Sequence, residues 1–137
     1  MNKRKSFLLA LTVLIILGIM PNCKKKKDDT CSSQPAIVAT TSPAVNTVEA
    51  PGPGPTFALR VTITSTLPSG GVTIEVKARP EASATTFYSE SKTATTSVTD
   101  FTITNTPQNV PSIVEITITS KSCSSNKWTG SYRYSRK

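Results

Sequence analysis

Three cysteines and no histidine define the chemistry that this chain offers. In an oxidising compartment Cys31 and Cys123 can form a disulfide that closes a loop of about 90 residues. The chain-entropy model gives such a bridge about 4 to 5 kcal/mol of stability. Two alternatives remain open: both thiols stay free, or Cys31 pairs between molecules. No C-x-x-C sequence is present, so neither a zinc ribbon nor a thioredoxin-type redox site is indicated.

The same residue composition argues against catalysis. Without histidine the chain lacks the usual general base, the Ser-His-Asp arrangement and the commonest metal ligand. The acidic residues of the second half are scattered: Glu75, Glu81, Glu90, Asp100 and Glu115. A carboxylate pair formed across strands, as in glycoside hydrolysis, is a distant alternative. The sequence therefore predicts a protein that is not an enzyme and that needs neither a metal nor another cofactor.

The first 22 residues have the anatomy of a secretory signal. Lys3, Arg4 and Lys5 form a basic start, and an apolar segment over residues 7–20 follows it. A permanent transmembrane helix needs about 20 apolar residues, so this segment is short for a span. Pro21 then breaks the helix just before Cys23. We expect residues 1–22 to be cleaved.

The cysteine at that boundary, and the residues after it, resemble a known family. The leader resembles that of bacterial lipoproteins, in which the cysteine thiol is diacylated and the chain is cut just before it. The charged run after Cys23 resembles the surface-export signal of Bacteroidota lipoproteins, and it consists of Lys24, Lys25, Lys26, Lys27, Asp28 and Asp29. Asn22 and Met20 depart from the small residue and the leucine that the family favours there. The resemblance implies a lipid on Cys23 and a place in the outer membrane, facing the periplasm or the medium.

The charge of the chain bears on its partners. The net charge is +8 and the isoelectric point is about 9.7. Lys24 to Lys27 would lie beside a lipid anchor, where each basic residue gains about 1 kcal/mol near an anionic surface. A second basic group stands near the C-terminus, namely Lys121, Lys127, Arg133, Arg136 and Lys137. Export and the lack of an aromatic and basic RNA-binding motif argue against nucleic acid as a partner.

Residues 23–56 read as a tether. Five of the ten prolines fall in this segment among Ser, Thr and Ala, and it ends in the sequence PGPGP. Proline fixes φ and removes a backbone donor, so most of the segment is unsuited to the interior of a sheet. The apolar pairs near residues 37–38 and 45–48 are the exceptions, and either could be a first edge strand. The domain is therefore predicted over residues 57–137, with an alternative start near 45.

The rest of the chain has the pattern of β-strands. Apolar and polar residues alternate with a period of two in most of six segments: 57–64, 72–79, 85–91, one around Asp100, 114–119 and 128–135. Val98 and Phe101 have opposite parity, so that strand either starts near Asp100 or contains a bulge. Six or seven short strands with turns between them predict an all-β protein, a small antiparallel β-sandwich. By strand number it resembles immunoglobulin or fibronectin type III modules.

One binding site is suggested by aromatic residues. Trp128, Tyr132 and Tyr134 share one face of the last strand and could form a platform for stacking on a sugar, with Lys127 and Arg133 beside it. The alternative, which we favour, is that the three rings fill the core.

These patterns predict a non-catalytic binding, adhesion or structural module, anchored in the outer membrane and carrying a protein or glycan ligand. The alternative is an accessory subunit of an envelope or nutrient-uptake complex, which would dock a protein partner through strand edges or the basic C-terminus.

Overall fold

The computed structural model describes residues 29–137 of the 137-residue chain. The predicted signal peptide, Cys23 and Lys24 to Asp28 lie outside the described residues. Within the described part no helix is long and apolar enough to span a membrane.

In the described residues seven strands form two antiparallel sheets, which confirms the predicted all-β sandwich. A single helical turn, α1 (Asp29–Ser32), precedes them. The strands are β1 (Ala39–Ser42), β2 (Phe57–Ile63), β3 (Val72–Pro80), β4 (Tyr88–Ala94), β5 (Val98–Ile103), β6 (Ser112–Ser120) and β7 (Lys127–Tyr134). One sheet has the order β1-β2-β5 and the other the order β4-β3-β6-β7. Constant-type immunoglobulin domains place their fourth strand in the sheet of the first two, whereas β4 here pairs with β3.

The alternation of apolar and polar residues decides which side chains face the core and which face solvent. Along β3 and β6 nearly every second side chain is buried and the intervening ones are partly exposed. The two strands pair from Val72 opposite Ser120 to Pro80 opposite Ser112 without a slip in register. Since a shift of one residue would turn every apolar side chain outward, this pairing fixes which residues form the core.

The register also resolves the parity conflict in β5. Phe101 and Ile103 face the core, while Val98 lies on the outer face with 47% of its surface exposed. The β2–β5 pairing is continuous from Phe57 to Thr62, so the strand starts at Val98 and has no bulge in this ladder.

The domain starts earlier than composition suggested, because β1 comes from the segment predicted as a tether. Ala39 pairs with Ile63, and both Ile37 and Ala39 are buried in the core. Val48 makes only an isolated bridge, so residues 45–48 are not a strand of their own. Residues 37–42 contain no proline, so their backbone N–H groups can bond to β2. Among the described residues the other side of β1 has no partner strand, which suits a short and mostly polar edge strand.

After Ser42 the chain crosses to the other sheet and follows β7. We call residues 46–52 the strap. Its backbone bonds to the open side of β7: Asn46 N donates to Ser131 O at 2.7 Å, and Arg133 N donates to Thr47 O at 3.0 Å. The pairing is parallel at Val48 opposite Arg133 and at Gly52 opposite Arg136. The strap therefore covers the backbone of an edge strand that would otherwise be free.

A disulfide joins Cys31 to Cys123, with the two Cα atoms 5.2 Å apart. Cys123 lies in the loop 121–126 between β6 and β7. Hydrogen bonds reinforce the link, because Asn126 Oδ1 accepts from the backbone N–H of Ile37 and Gln34 Oε1 accepts from Ser120 Oγ at 2.9 Å. The chain is thus fixed to the domain from Cys31 onward.

Removing the bridge with Cys31→Ser and Cys123→Ser together should lower the free energy of unfolding by about 2 to 5 kcal/mol, because the bond closes a long loop in the unfolded chain. Urea unfolding followed by tryptophan fluorescence measures this. The wild type in reductant should approach the variant, and the variant should not respond to reductant. An unchanged unfolding midpoint would contradict the stabilising role.

Candidate functional site

The three aromatic residues of β7 do not form an exposed platform. Tyr132 and Tyr134 are only 2% and 4% exposed, and Trp128 packs partly buried against the same core. The ring of Phe57 meets that of Tyr134 edge to face, with centroids 4.8 Å apart. The ring of Trp128 covers Gly130, where a Cβ atom would approach it to 2.6 Å. The rings fill the core, since alternate residues of a strand share one face and this face of β7 packs against the other sheet.

The two buried tyrosines differ in how their hydroxyl groups are satisfied. The hydroxyl of Tyr134 shares a hydrogen bond of 2.7 Å with Thr106 Oγ1, and Thr106 is itself 1% exposed. The hydroxyl of Tyr132 has no hydrogen-bond partner among the described residues. Burial raises the pKa of both tyrosines, and nearby Tyr134 and Glu49 raise that of Tyr132 further. Both groups therefore stay neutral at physiological pH.

A polar cluster closes the seam between β4 and β5. The hydroxyl of Tyr88 donates to the carboxylate of Glu90, which holds the pKa of Glu90 below its usual range with help from Lys92. Lys92 Nζ lies 3.3 Å from Glu90, donates to the carbonyl oxygen of Asp100 at 2.7 Å, and sits 4.6 Å from the centroid of the Phe101 ring. These contacts join the two sheets. Perturbed pKa values can mark a functional site, but the side chains of this cluster bond to one another and to β5, so we assign it to structure.

The outer face of the four-stranded sheet carries two concave surfaces. A depression of about 510 Å³ extends from Asn46 of the strap across β7 and β6 to β3. A second one, of about 730 Å³, continues from β3 to the loop 81–86. Lys77 and Glu115 line both depressions and are cross-strand partners. We call this continuous surface the groove.

Cross-strand pairing arranges the groove in rows. Glu75, Thr117 and Thr129 form one row, and Lys77, Glu115 and Ser131 form the next. The carboxylates lie in ion pairs, with Lys77 2.8 Å from Glu75 and Arg79 2.9 Å from Glu115.

The groove therefore presents hydroxyl groups between paired charges, which suits hydrogen bonding to a polar ligand. It lacks the exposed aromatic ring on which many sugar sites depend, since the described part of its lining contains none. Sequence reasoning could not find the groove, because the alternating Thr and charged residues are typical of any solvated sheet face.

The basic residues near the C-terminus are not one cluster. Arg133 is paired with Glu81 at 2.8 Å, and Arg136 donates to the carbonyl oxygen of Thr106 at 3.2 Å. Lys121 and Lys127 lie at the opposite end of the sandwich and make no ion pair within residues 29–137. They are therefore free to meet a partner there.

The structure brings no three His, Cys, Asp or Glu residues into a metal-binding arrangement within the described part. The comparison with known proteins gives no family: no family model matches the chain, and no curated protein matches it.

The tyrosines of β7 allow a matched test of the core assignment. Tyr134→Phe should lower the free energy of unfolding by about 1 to 2 kcal/mol, because it leaves the buried Thr106 hydroxyl without its partner. Tyr132→Phe removes a hydroxyl that has no hydrogen-bond partner among the described residues, so the free energy of unfolding should stay unchanged or rise. Thermal and urea unfolding of both variants measure the difference. The reverse order of stabilities would contradict the assignment.

Proposed function

We propose that this protein is a lipid-anchored lipoprotein of the bacterial outer membrane and that its β-sandwich is a non-catalytic binding module. The leader and the cysteine that ends it support the anchor. The single observation that carries the proposal beyond the leader is the disulfide between Cys31 and Cys123.

The disulfide supports export on grounds independent of the leader. Disulfides form and persist in oxidising environments such as the bacterial periplasm, and they are rare in the cytosol. Cys23 is the one cysteine of the three left outside this bridge. It is also the residue at which the lipoprotein resemblance places the lipid. Two or more acyl chains on one residue anchor a protein stably without a transmembrane helix.

The groove supports the binding role. It lies on the outer face of β3, β6 and β7, where rigid strands hold the side chains and no loop has to fold over them. Threonine and serine hydroxyls beside paired charges favour a polar, extended ligand, of which a glycan is the simplest example. Rigid strands also present these groups without ordering them on binding, which lowers the entropic cost of association.

The alternative of an accessory subunit has one observation in its favour. β4 is an edge strand whose alternate side chains Ser89, Ser91 and Thr93 are exposed, so a partner strand could add to it. The basic C-terminus gives the alternative little support, because Arg133 already pairs with Glu81 and Arg136 already bonds to Thr106 within the domain.

The anchor is tested by the intact mass of the protein purified from membranes of its own host. We expect a polypeptide that starts at Cys23 and carries the mass of two or three acyl chains, and Cys23→Ser should remove the lipid and release the protein from the membrane. Each acyl chain adds about 0.8 kcal/mol per buried methylene, so the partition should be nearly complete. A native protein that starts at Met1 without lipid would contradict the proposal.

The binding role is tested on a glycan array with the mature Cys23→Ser protein. Thr117→Tyr fills the centre of the groove and should weaken binding by about tenfold or more, because the added ring clashes with the ligand. Thr62→Tyr, on the outer face of the other sheet, is the control and should bind as the wild type does. Equal binding by both variants would remove the groove from the proposal, and an array without any bound glycan would contradict a glycan ligand.

A further inference from the structure

The disulfide lies at one end of the sandwich, and strand directions show which loops share that end. β3 begins at Val72 opposite Ser120, the last residue of β6, and opposite Ala94, the last residue of β4. The loops 64–71, 95–97 and 121–126 therefore lie at this end together with Cys31. We call it the disulfide end. The loops 81–87 and 104–111 lie at the opposite, far end.

The length of the chain before the disulfide limits where this end can lie. If Cys23 carries lipid, as proposed above, eight residue steps connect the membrane anchor to Cys31. Even fully extended, they span at most about 29 Å. The tether predicted from composition would have reached roughly 100 Å as an extended polyproline helix. The bridge thus holds the disulfide end close to the bilayer, and the far end is separated from it by the length of a nine-residue strand, about 30 Å.

The charge of the disulfide end suits an anionic surface. Its three loops contain no acidic residue. Lys121 is exposed, and Lys127 follows directly at the start of β7, also exposed and without an ion pair in the described part of the chain. Asp28 and Asp29 precede the bridge, but Lys24 to Lys27 outnumber them.

Two exposed aliphatic side chains lie at the same end. Val38 is 52% exposed and Val98 is 47% exposed. Both lie on the outer face of the three-stranded sheet, one on each side of β2, because Val98 lies opposite Thr62 and the carbonyl oxygen of Val38 accepts from the N–H of Thr64. Val48, which is 72% exposed, lies on the strap opposite Arg133 in the other sheet and so provides a matched control.

We propose that the disulfide end is a docking surface for an anionic lipid membrane. Lys121 and Lys127 contact the phosphates of the headgroups, and Val38 and Val98 enter the boundary between headgroups and acyl chains. This inference rests on the proposed lipid anchor, which holds the disulfide end near the membrane. In this orientation the far end faces away from the bilayer and the groove stands along the side of the domain. Each lysine contributes about fivefold to the affinity for an anionic surface, so the docking is weak alone and depends on the anchor for its effective concentration.

The test uses an anchor that does not depend on acylation in the cell. Cys23 is the one thiol outside the disulfide, so the mature chain can be coupled through it to a maleimide lipid in vesicles of phosphatidylcholine with or without phosphatidylglycerol. Amide hydrogen exchange then reports which loops the membrane covers. We expect slower exchange in the loops 121–126 and 95–97 on the anionic vesicles, and unchanged exchange in 81–87 and 104–111.

Matched variants sharpen the result. Lys121→Glu should reduce the protection at least about fivefold, and raised salt should reduce it further, whereas Lys137→Glu at the other end should have no effect. Val38→Ser with Val98→Ser should also reduce protection, and Val48→Ser should not. Equal protection on neutral and anionic vesicles, protection centred on the far end, or equal effects of Lys121→Glu and Lys137→Glu would overturn the proposal. A native protein without lipid would instead contradict the anchor and leave this result standing.

Discussion

The antiparallel pairing of β3 with β6 is the interaction on which the rest of the structure depends. These two central strands supply seven of the fully buried aliphatic side chains, and their register decides which face of the four-stranded sheet meets the other sheet. The same register places Glu75, Lys77, Glu115 and Thr117 together on the outer face. Core and groove are therefore two sides of one ladder, and a slip of one residue would destroy both.

The sequence allowed the prediction of much of this arrangement, because alternation with a period of two is a local signal. Six of the seven strands overlap segments in which the alternation of apolar and polar residues predicts β-strands. β1 escaped recognition as a definite strand because only Ile37 and Ala39 of its region are buried and its neighbours are Thr and Ser. Its pairing with β2, the crossing after Ser42 and the strap depend on contacts between residues far apart in sequence. The groove was invisible for the same reason, since only the register brings its rows together.

The segment after Cys31 has the composition of a tether, but it is part of the domain. The disulfide and the hydrogen bonds of Gln34 and Asn126 hold it there. Prolines after residue 42 do not prevent this, because the strap needs hydrogen bonds only at alternate residues along one side. Composition predicts flexibility from residue types alone, whereas a covalent bridge and a few buried residues decide it here. As a result the chain joins the module at Cys31, eight residues after the proposed anchor, rather than at the end of a long spacer.

The strap has a consequence for the behaviour of many copies at once. An uncovered edge strand is a template on which identical chains can add to one another. Residues 46–52 cover the edge of β7, and Lys92 donates a hydrogen bond to one carbonyl oxygen of the edge strand β5. In a crowded layer of this protein, identical chains could thus not pair through the edge of β7, and β4 is the edge of the four-stranded sheet at which a further strand could add.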